Sequence, residues 1–440
     1  MKLEIGNFNV NVIKFGSELS FKDGILTINK EEALTFIKED KHIIDADLHI
    51  VNPGDNTRLI PVKEVIEPRI KLGGTSFPGY IGDLGKSGEG VTYALKGTSV
   101  VVVGKHWGGF QDGLIDMSGE GAKYTYYSKL KNIVLVADTD EDFEKHEQQK
   151  KNTTLRRAGH KLAEFIADCL KNLVPDETET FELNGINERD EETRKLPSVV
   201  YVMQVQSQME EQGYNDLIYG WDTNLMLPTL LHPNEVLDGA LIAGSFMPCS
   251  SKWSTYDFQN CPTIKELYKE HGKTINFLGV ILSNLNVALE QKERAAQFVA
   301  QLANSIGAEG AIVAEEGYGN PDADFIACIV ALENVGVKTV GVTNECTGRD
   351  GKSQPLVTLD EKANAIVSCG NVSELIELPP METVLGELQS LSRDGLSGGW
   401  ADDEILGPSV RKNGSIIMEN NSMFCGDQVI GWSDKTVKEF

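Results

Sequence analysis

Residues 290–342 read EQKERAAQFVAQLANSIGAEGAIVAEEGYGNPDADFIACIVALENVGVKTVGV, and their pattern decides the fold. Glu290–Ile306 has amphipathic helical spacing and stops at Gly307, the residue type that most readily closes a helix in the left-handed conformation. Gly310–Ala314 is a short apolar run bounded by turn residues, which predicts a buried strand. Ala323–Val335 is a second helix, stopped by Gly336, and Lys338–Val342 is the next strand. Strands alternating with helices of this length call for parallel neighbours, since only long crossovers can join them. Working outward, Val199–Val205, Asp238–Gly244 and Ile275–Leu282 read as further strands, and Ala365–Val367 as a short last one. The expected class is α/β: a parallel, helix-covered sheet in the C-terminal half, behind a β-rich, mixed α+β N-terminal domain.

The first half reads as short strands at Leu3–Val12, Gly24–Ile28 and Ile43–Val51 around a helix at Lys30–Lys38. A glycine-rich loop spans Gly73–Gly90, and buried strands are expected at Thr98–Gly104 and Ile133–Ala137. Thr153–Leu173 is a helix with apolar residues on one face. The charged stretch within 175–196 lacks periodicity and reads as a linker or excursion. The expected units are therefore 1–174, an α/β domain over 197–380, and a C-terminal extension over 381–440.

Of the 440 residues, 66 are Asp or Glu and 41 are Lys or Arg, giving a formal charge of -25. Such a surface repels phosphate backbones and anionic lipid, which argues against nucleic-acid and membrane-surface partners. No run approaches the roughly 18 apolar residues of a membrane span, and the N-terminus has no apolar signal segment, so a cytoplasmic protein is expected. The seven cysteines are an odd number with no C-x-x-C pair, and the histidines form no H-E-x-x-H, so neither a disulfide framework nor a metal centre is expected. Val103–Gly109 follows a strand but matches no phosphate-cradling motif, and no nucleotide is expected.

In an open α/β sheet a ligand lies beyond the carboxyl ends of the strands. There the sequence places Glu315, Glu316, Gly317, Gly319, Asn320 and Asp322. Adjacent carboxylates suit an ammonium group, and helix N-terminal N–H groups suit a carboxylate; an acidic loop with ordinary helix caps is the competing reading. After the next strand Arg349 can hold a carboxylate bidentately, or be a surface arginine on a solvated turn. A third strand end carries Ser245 and Cys249 as candidate reacting groups, although a lone cysteine is more often an inert small hydrophobe. Trp221, Trp253 and Tyr256 bracket that stretch and could cage a substituted ammonium, or simply pack.

Many separate motifs now agree in order. Val65-Ile66-Glu67-Pro68-Arg69, Phe77-Pro78-Gly79, Ile115-Asp116-Met117-Ser118-Gly119, Asp238-Gly239-Ala240, His271-Gly272-Lys273, Glu315-Glu316-Gly317 and Gly348-Arg349-Asp350-Gly351 are spaced along the chain. In order and spacing the chain resembles the component B proprotein subunit (alpha and beta) of the glycine, sarcosine and betaine reductases, and more distantly the D-proline reductase proprotein. The resemblance implies a selenium-dependent oxidoreductase complex that reductively cleaves the C–N bond of a small amine. It implies three protein partners: a selenoprotein component A that takes the carbon fragment, a second selenocysteine-type subunit of component B, and an acetyl-transferring component C. It also implies a precursor cleaved near its middle, where a cysteine becomes a pyruvoyl group.

At that cysteine the sequence departs from the pattern. Family members follow Asp-Gly-Ala with Gly-Asn-Cys, whereas gapless matching here gives Gly244, Ser245 and Phe246. Phenylalanine cannot become pyruvoyl. Ser245 and Cys249 are the remaining candidate precursors, and a chain that is never cleaved is the other reading. Betaine supplies a reason for the latter: its quaternary nitrogen has no lone pair for a Schiff base, and its fixed charge already activates the C–N bond. The alternative from another class is a non-catalytic small-molecule binding or scaffold paralogue of the same fold.

Overall fold

The computed structural model describes residues 1–105, 112–140, 148–209, 213–224, 226–244, 247–388 and 409–424. In the second half, one sheet runs in the order Thr229–Leu231, Asn276–Asn284, Ser198–Val205, Gly310–Ala314, Lys338–Glu345, Ile366–Asn371. The last five strands are mutually parallel, and only the edge strand Thr229–Leu231 runs antiparallel. Alternate residues divide between two cores, as strand geometry requires. Val200, Val202, Ile281, Ala311 and Val313 pack with Val299 and Ala303 of helix Leu289–Ser305 and with Phe325 and Ile329 of helix Asn320–Asn334. Tyr201, Met203, Val280, Leu282 and Ala314 pack on the opposite face with Trp253, Phe258 and Ile264.

The first half is built on a mixed sheet ordered Gly113–Asp116, Thr57–Ile66, Thr98–Val103, Lys131–Thr139, Ile43–Val51. Helix Gln148–Ala167 lies on it, with Leu155, Leu162 and Ile166 buried against Ile66, Val100 and Leu135. The strand Thr57–Ile66 is buried throughout although it contains Arg58, Lys63 and Glu64. Each charge has a partner from elsewhere. Arg58 Nε and Nη2 hold Asp116 bidentately at 2.6 and 2.8 Å, Lys63 Nζ meets Asp112 at 2.5 Å, and Glu64 accepts from Thr255 N at 3.1 Å.

Three expectations change. The charged stretch expected as a linker or excursion carries a strand, Glu177–Glu182, paired antiparallel with Lys2–Asn9. The strand expected over Asp238–Gly244 is only Leu241–Ile242, preceded by a short helix Pro233–Leu237. The segment expected as a C-terminal extension returns to the first half, where Thr383–Gly386 pairs parallel with Thr57–Ile60. No helix among the described residues is long and apolar enough to cross a membrane.

Candidate functional site

Glu315 and Glu316 directly follow the strand Gly310–Ala314, and as consecutive residues they leave it on opposite sides. Both side chains are buried. Glu316 Oε1 accepts from Trp253 N at 2.9 Å and Oε2 from Gln206 N at 2.7 Å. Its carboxyl is also hydrogen-bonded to that of Asp216, which accepts from Gln206 N at 3.1 Å and from Gly244 N. Burial, then the Asp216 charge, push Glu316 well above the usual carboxyl range, while burial raises Asp216 to about 6. A proton shared between the two carboxyls makes their contact favourable. Gly244 fits here because any Cβ would collide with the Tyr214 carbonyl.

On the other side of the strand, Thr343 Oγ1 donates to Glu315 Oε2 at 2.5 Å, and Glu315 is hydrogen-bonded to Asp322. Burial and the Asp322 charge push Glu315 well above its ordinary value. Asp322 accepts from Gly319 N and Val357 N, each at 2.7 Å, and so caps helix Asn320–Asn334 while tying down the 357 segment. The turn between is tight. Gly317 has φ +89°, and a Cβ there would stand 2.6 Å from Met247 Sδ.

Near these strand ends, both amide atoms of Gln206, both amide atoms of Asn344 and Trp253 Nε1 are buried without a hydrogen-bond partner among the described residues. Leaving such an atom unmet costs about 1–3 kcal/mol, so these amide side chains, at the ends of the two strands that flank Gly310–Ala314, are available to hydrogen-bond a water or a ligand.

The other residues singled out from sequence fall differently. Asn320 already holds an ammonium of the chain itself: Lys292 Nζ donates to its Oδ1 at 2.8 Å and its carbonyl at 3.0 Å, and pairs with Asp324. Arg349 Nε donates to Glu419 Oε1 at 2.8 Å, so a ligand carboxylate would have to compete with Glu419 for it. The three aromatics do not form a cage. Trp221 is 70% exposed, Trp253 is stacked on Phe258 at 5.2 Å within the core, and Tyr256 packs against Tyr126 and Tyr127.

Cys249 does not present a reactive group. Its thiol is buried, donates to Asn421 O at 3.2 Å, and is pushed up to about 12 by burial. Around the thiol lie the backbone oxygens of Asn421 and Met423 and the Phe424 side chain, with Lys252 and Asp112 as charged neighbours. Ser245 and Phe246 lie outside the described residues. Among the described residues no three His, Cys, Asp or Glu side chains gather as metal ligands.

Asp216, Gln206 and Asn344 were missed from sequence. The rule that found Glu315 also points to Gln204-Val205-Gln206 and Thr343-Asn344, where apolar strands end in amide side chains. Asp216 carries no such signal, because its role arises only from contact with Glu316.

The family model for glycine/sarcosine/betaine reductase component B subunits matches residues 1–438. Betaine reductase complex component B subunit alpha of Peptoclostridium acidaminophilum is 74% identical, with 100% of each chain covered. Glycine reductase complex component B subunits alpha and beta of the same organism is 40% identical, again with 100% of each chain covered. Its sarcosine reductase complex component B subunit alpha is 37% identical over 91% of this chain and 92% of the relative. No solved structure matches the chain.

Proposed function

The chain belongs to the glycine/sarcosine/betaine reductase component B family, and on that premise we propose that it is the substrate-binding subunit of a complex that reductively cleaves the C–N bond of an N-substituted glycine, betaine foremost. The observation that carries this reading is the strand-end site itself: two buried carboxyl pairs, Glu315–Asp322 and Glu316–Asp216, beside amide side chains with no partner among the described residues. A carboxyl kept neutral by burial becomes a counter-ion when a cation enters and its proton leaves. Glu315 is the group assigned to face the substituted nitrogen, and Glu316 supports it from the adjacent position.

In the proposed reaction a selenolate of component A attacks the methylene carbon of the bound substrate. A C–Se bond forms as the C–N bond breaks, and the bonding pair leaves on the amine, which for betaine departs as neutral trimethylamine. The resulting carboxymethyl selenoether passes to component C. The residues of this chain bind and orient the cation and exclude water, and no step requires them to act as nucleophile. A pyruvoyl group would supply a Schiff-base electron sink to primary and secondary amines. Phe246 at the family's cysteine position and the inert setting of Cys249 support a chain that works without it.

Calorimetry in buffers of different ionisation enthalpy tests the site. Betaine binding near pH 7 is expected to release a proton, and affinity is expected to fall as pH is lowered, because the proton competes with the cation. Glu315→Gln should abolish the release and weaken binding about tenfold or more. Wild-type binding without proton release, or a Glu315→Gln protein that binds and turns over normally, would remove Glu315 from the nitrogen site, and a wild type that shows no turnover with component A would leave the chain as a binding or scaffold paralogue.

A further inference from the structure

Lys265 has no part in the reaction proposed above, and its surroundings are those of a reactive amine. Helix Pro262–Glu270 carries it into the wall of a cavity of about 380 Å³. Lys96, Glu179, Tyr126, Tyr256 and Asn260 line that cavity with it. We propose that Lys265 is a modification site, acylated on Nζ by a small acyl phosphate. The cavity shares no residue with the strand-end carboxyls, so the two sites stand or fall separately.

Lys265 differs from its neighbour Lys96 in how it is held. Lys96 Nζ donates to Glu67 Oε1 and to Asn260 Oδ1, each at 2.9 Å. Lys265 Nζ stands farther from its own partners, 3.5 Å from Asn260 Oδ1 and 3.6 Å from Glu179 Oε1, and lies 6.0 Å from the centroid of the Phe181 ring. Its side chain keeps 21% of its surface exposed, so a small reagent can reach it. Burial, then the Lys96 charge, push its ammonium down to about 8, against the opposing pull of Glu179 and Glu67. A lysine desolvated beside a second cation is the setting in which an amine becomes a nucleophile. At pH 8 about half of such amines carry a free lone pair.

In the step itself the neutral Nζ attacks the carbonyl carbon of the acyl phosphate. A C–N bond forms, and the C–O bond to the phosphate breaks. The bonding pair leaves on inorganic phosphate, which also takes the proton that the amine loses, and nothing is oxidised or reduced. Among the described residues the cavity wall carries three lysines and three glutamates, so it does not add to the acidic field of a chain whose formal charge is -25. Tyr126 and Tyr256 give a short acyl chain an apolar surface to rest on. The amide that results is neutral, which ends both the repulsion from Lys96 and the cost of keeping a charge out of water.

The test incubates the folded full chain with acetyl phosphate at pH 8 and follows acetylation of each lysine by peptide mass analysis. Lys265 should be modified about fivefold or more faster than Lys86 and Lys123, whose side chains are 86% and 68% exposed. Trace labelling with acetic anhydride over a series of pH values should show the rate at Lys265 levelling off above about pH 9. Labelling of Lys265 no faster than that of Lys86, or labelling only after unfolding in urea, overturns the proposal. A Lys265 that reacts with acetic anhydride but not with acetyl phosphate overturns it as well, since the amine would then be nucleophilic without taking the proposed donor.

Discussion

The carboxyls of Glu316 and Asp216 are hydrogen-bonded to each other while both accept the same backbone N–H, that of Gln206, at 2.7 and 3.1 Å. Each also holds one end of a loop: Asp216 accepts from Gly244 N, and Glu316 from Trp253 N. One shared proton makes the contact attractive, where two buried carboxylates would repel. The segment between Gly244 and Trp253 is thereby stapled at both ends to the tips of the parallel sheet.

Glu316→Gln keeps a neutral donor to Asp216 and an acceptor for Trp253 N, so it should cost little stability. Glu316→Ala leaves Trp253 N without its acceptor and should cost about 1–3 kcal/mol. Urea midpoints of the two variants against the wild type check this, and equal losses would contradict the proton-sharing arrangement.

Glu64 gives stability a pH dependence of definite sign. Burial raises its folded pKa from 4.5 to about 7, so between those values the folded chain keeps a proton that the unfolded chain has lost. Stability from this group is complete below pH 4.5 and declines as pH rises through 7, by about 1.4 kcal/mol per unit at most. Glu64→Gln should flatten the decline in a series of denaturation curves from pH 4.5 to 7.5.

Lys292 and Asp324 form an ion pair with each side chain about 3% exposed, and the lysine also donates to Asn320 Oδ1 at 2.8 Å. Lys292→Met leaves Asp324 as an uncompensated buried charge and should destabilise the fold by about 3–5 kcal/mol. Adding Asp324→Leu should recover much of that loss. Thermal unfolding of the single and double variants reads the difference, and additive losses would mean that the pair contributes nothing as a pair.

Cys249 should resist alkylation. A buried thiol raised to about 12 has almost no thiolate at pH 8. Iodoacetamide followed by peptide mass analysis should therefore modify it only after unfolding. Cys249→Ser should leave turnover within about twofold; a larger loss at unchanged stability would return this residue to the chemistry.

How far the elements were legible followed how much of each segment's burial is local. Val199–Val205 and Ile275–Leu282 are apolar runs, and they form strands at Ser198–Val205 and Asn276–Asn284. Thr57–Ile66 was not legible, because Arg58, Lys63 and Glu64 break its apolar pattern and are buried only by virtue of Asp116, Asp112 and Thr255. Glu177–Glu182 was not legible either: it reads Glu-Thr-Glu-Thr-Phe-Glu, with Phe181 its only buried side chain, and it is a strand because Lys2–Asn9 lies alongside.

By itself the sequence determined the alternation of helices and strands through residues 290–342, and hence that Glu315 and Glu316 end a strand. Helical spacing, apolar runs and glycine stops act over a few residues, and chirality limits how such units can connect. Only the tertiary structure decided what each charge meets. It set Asp216 against Glu316, 100 residues apart, gave Asn320 to Lys292, and separated Trp221 from Trp253. The reason is desolvation: a charge leaves water only where a partner from a distant segment receives it, and no local pattern encodes that meeting.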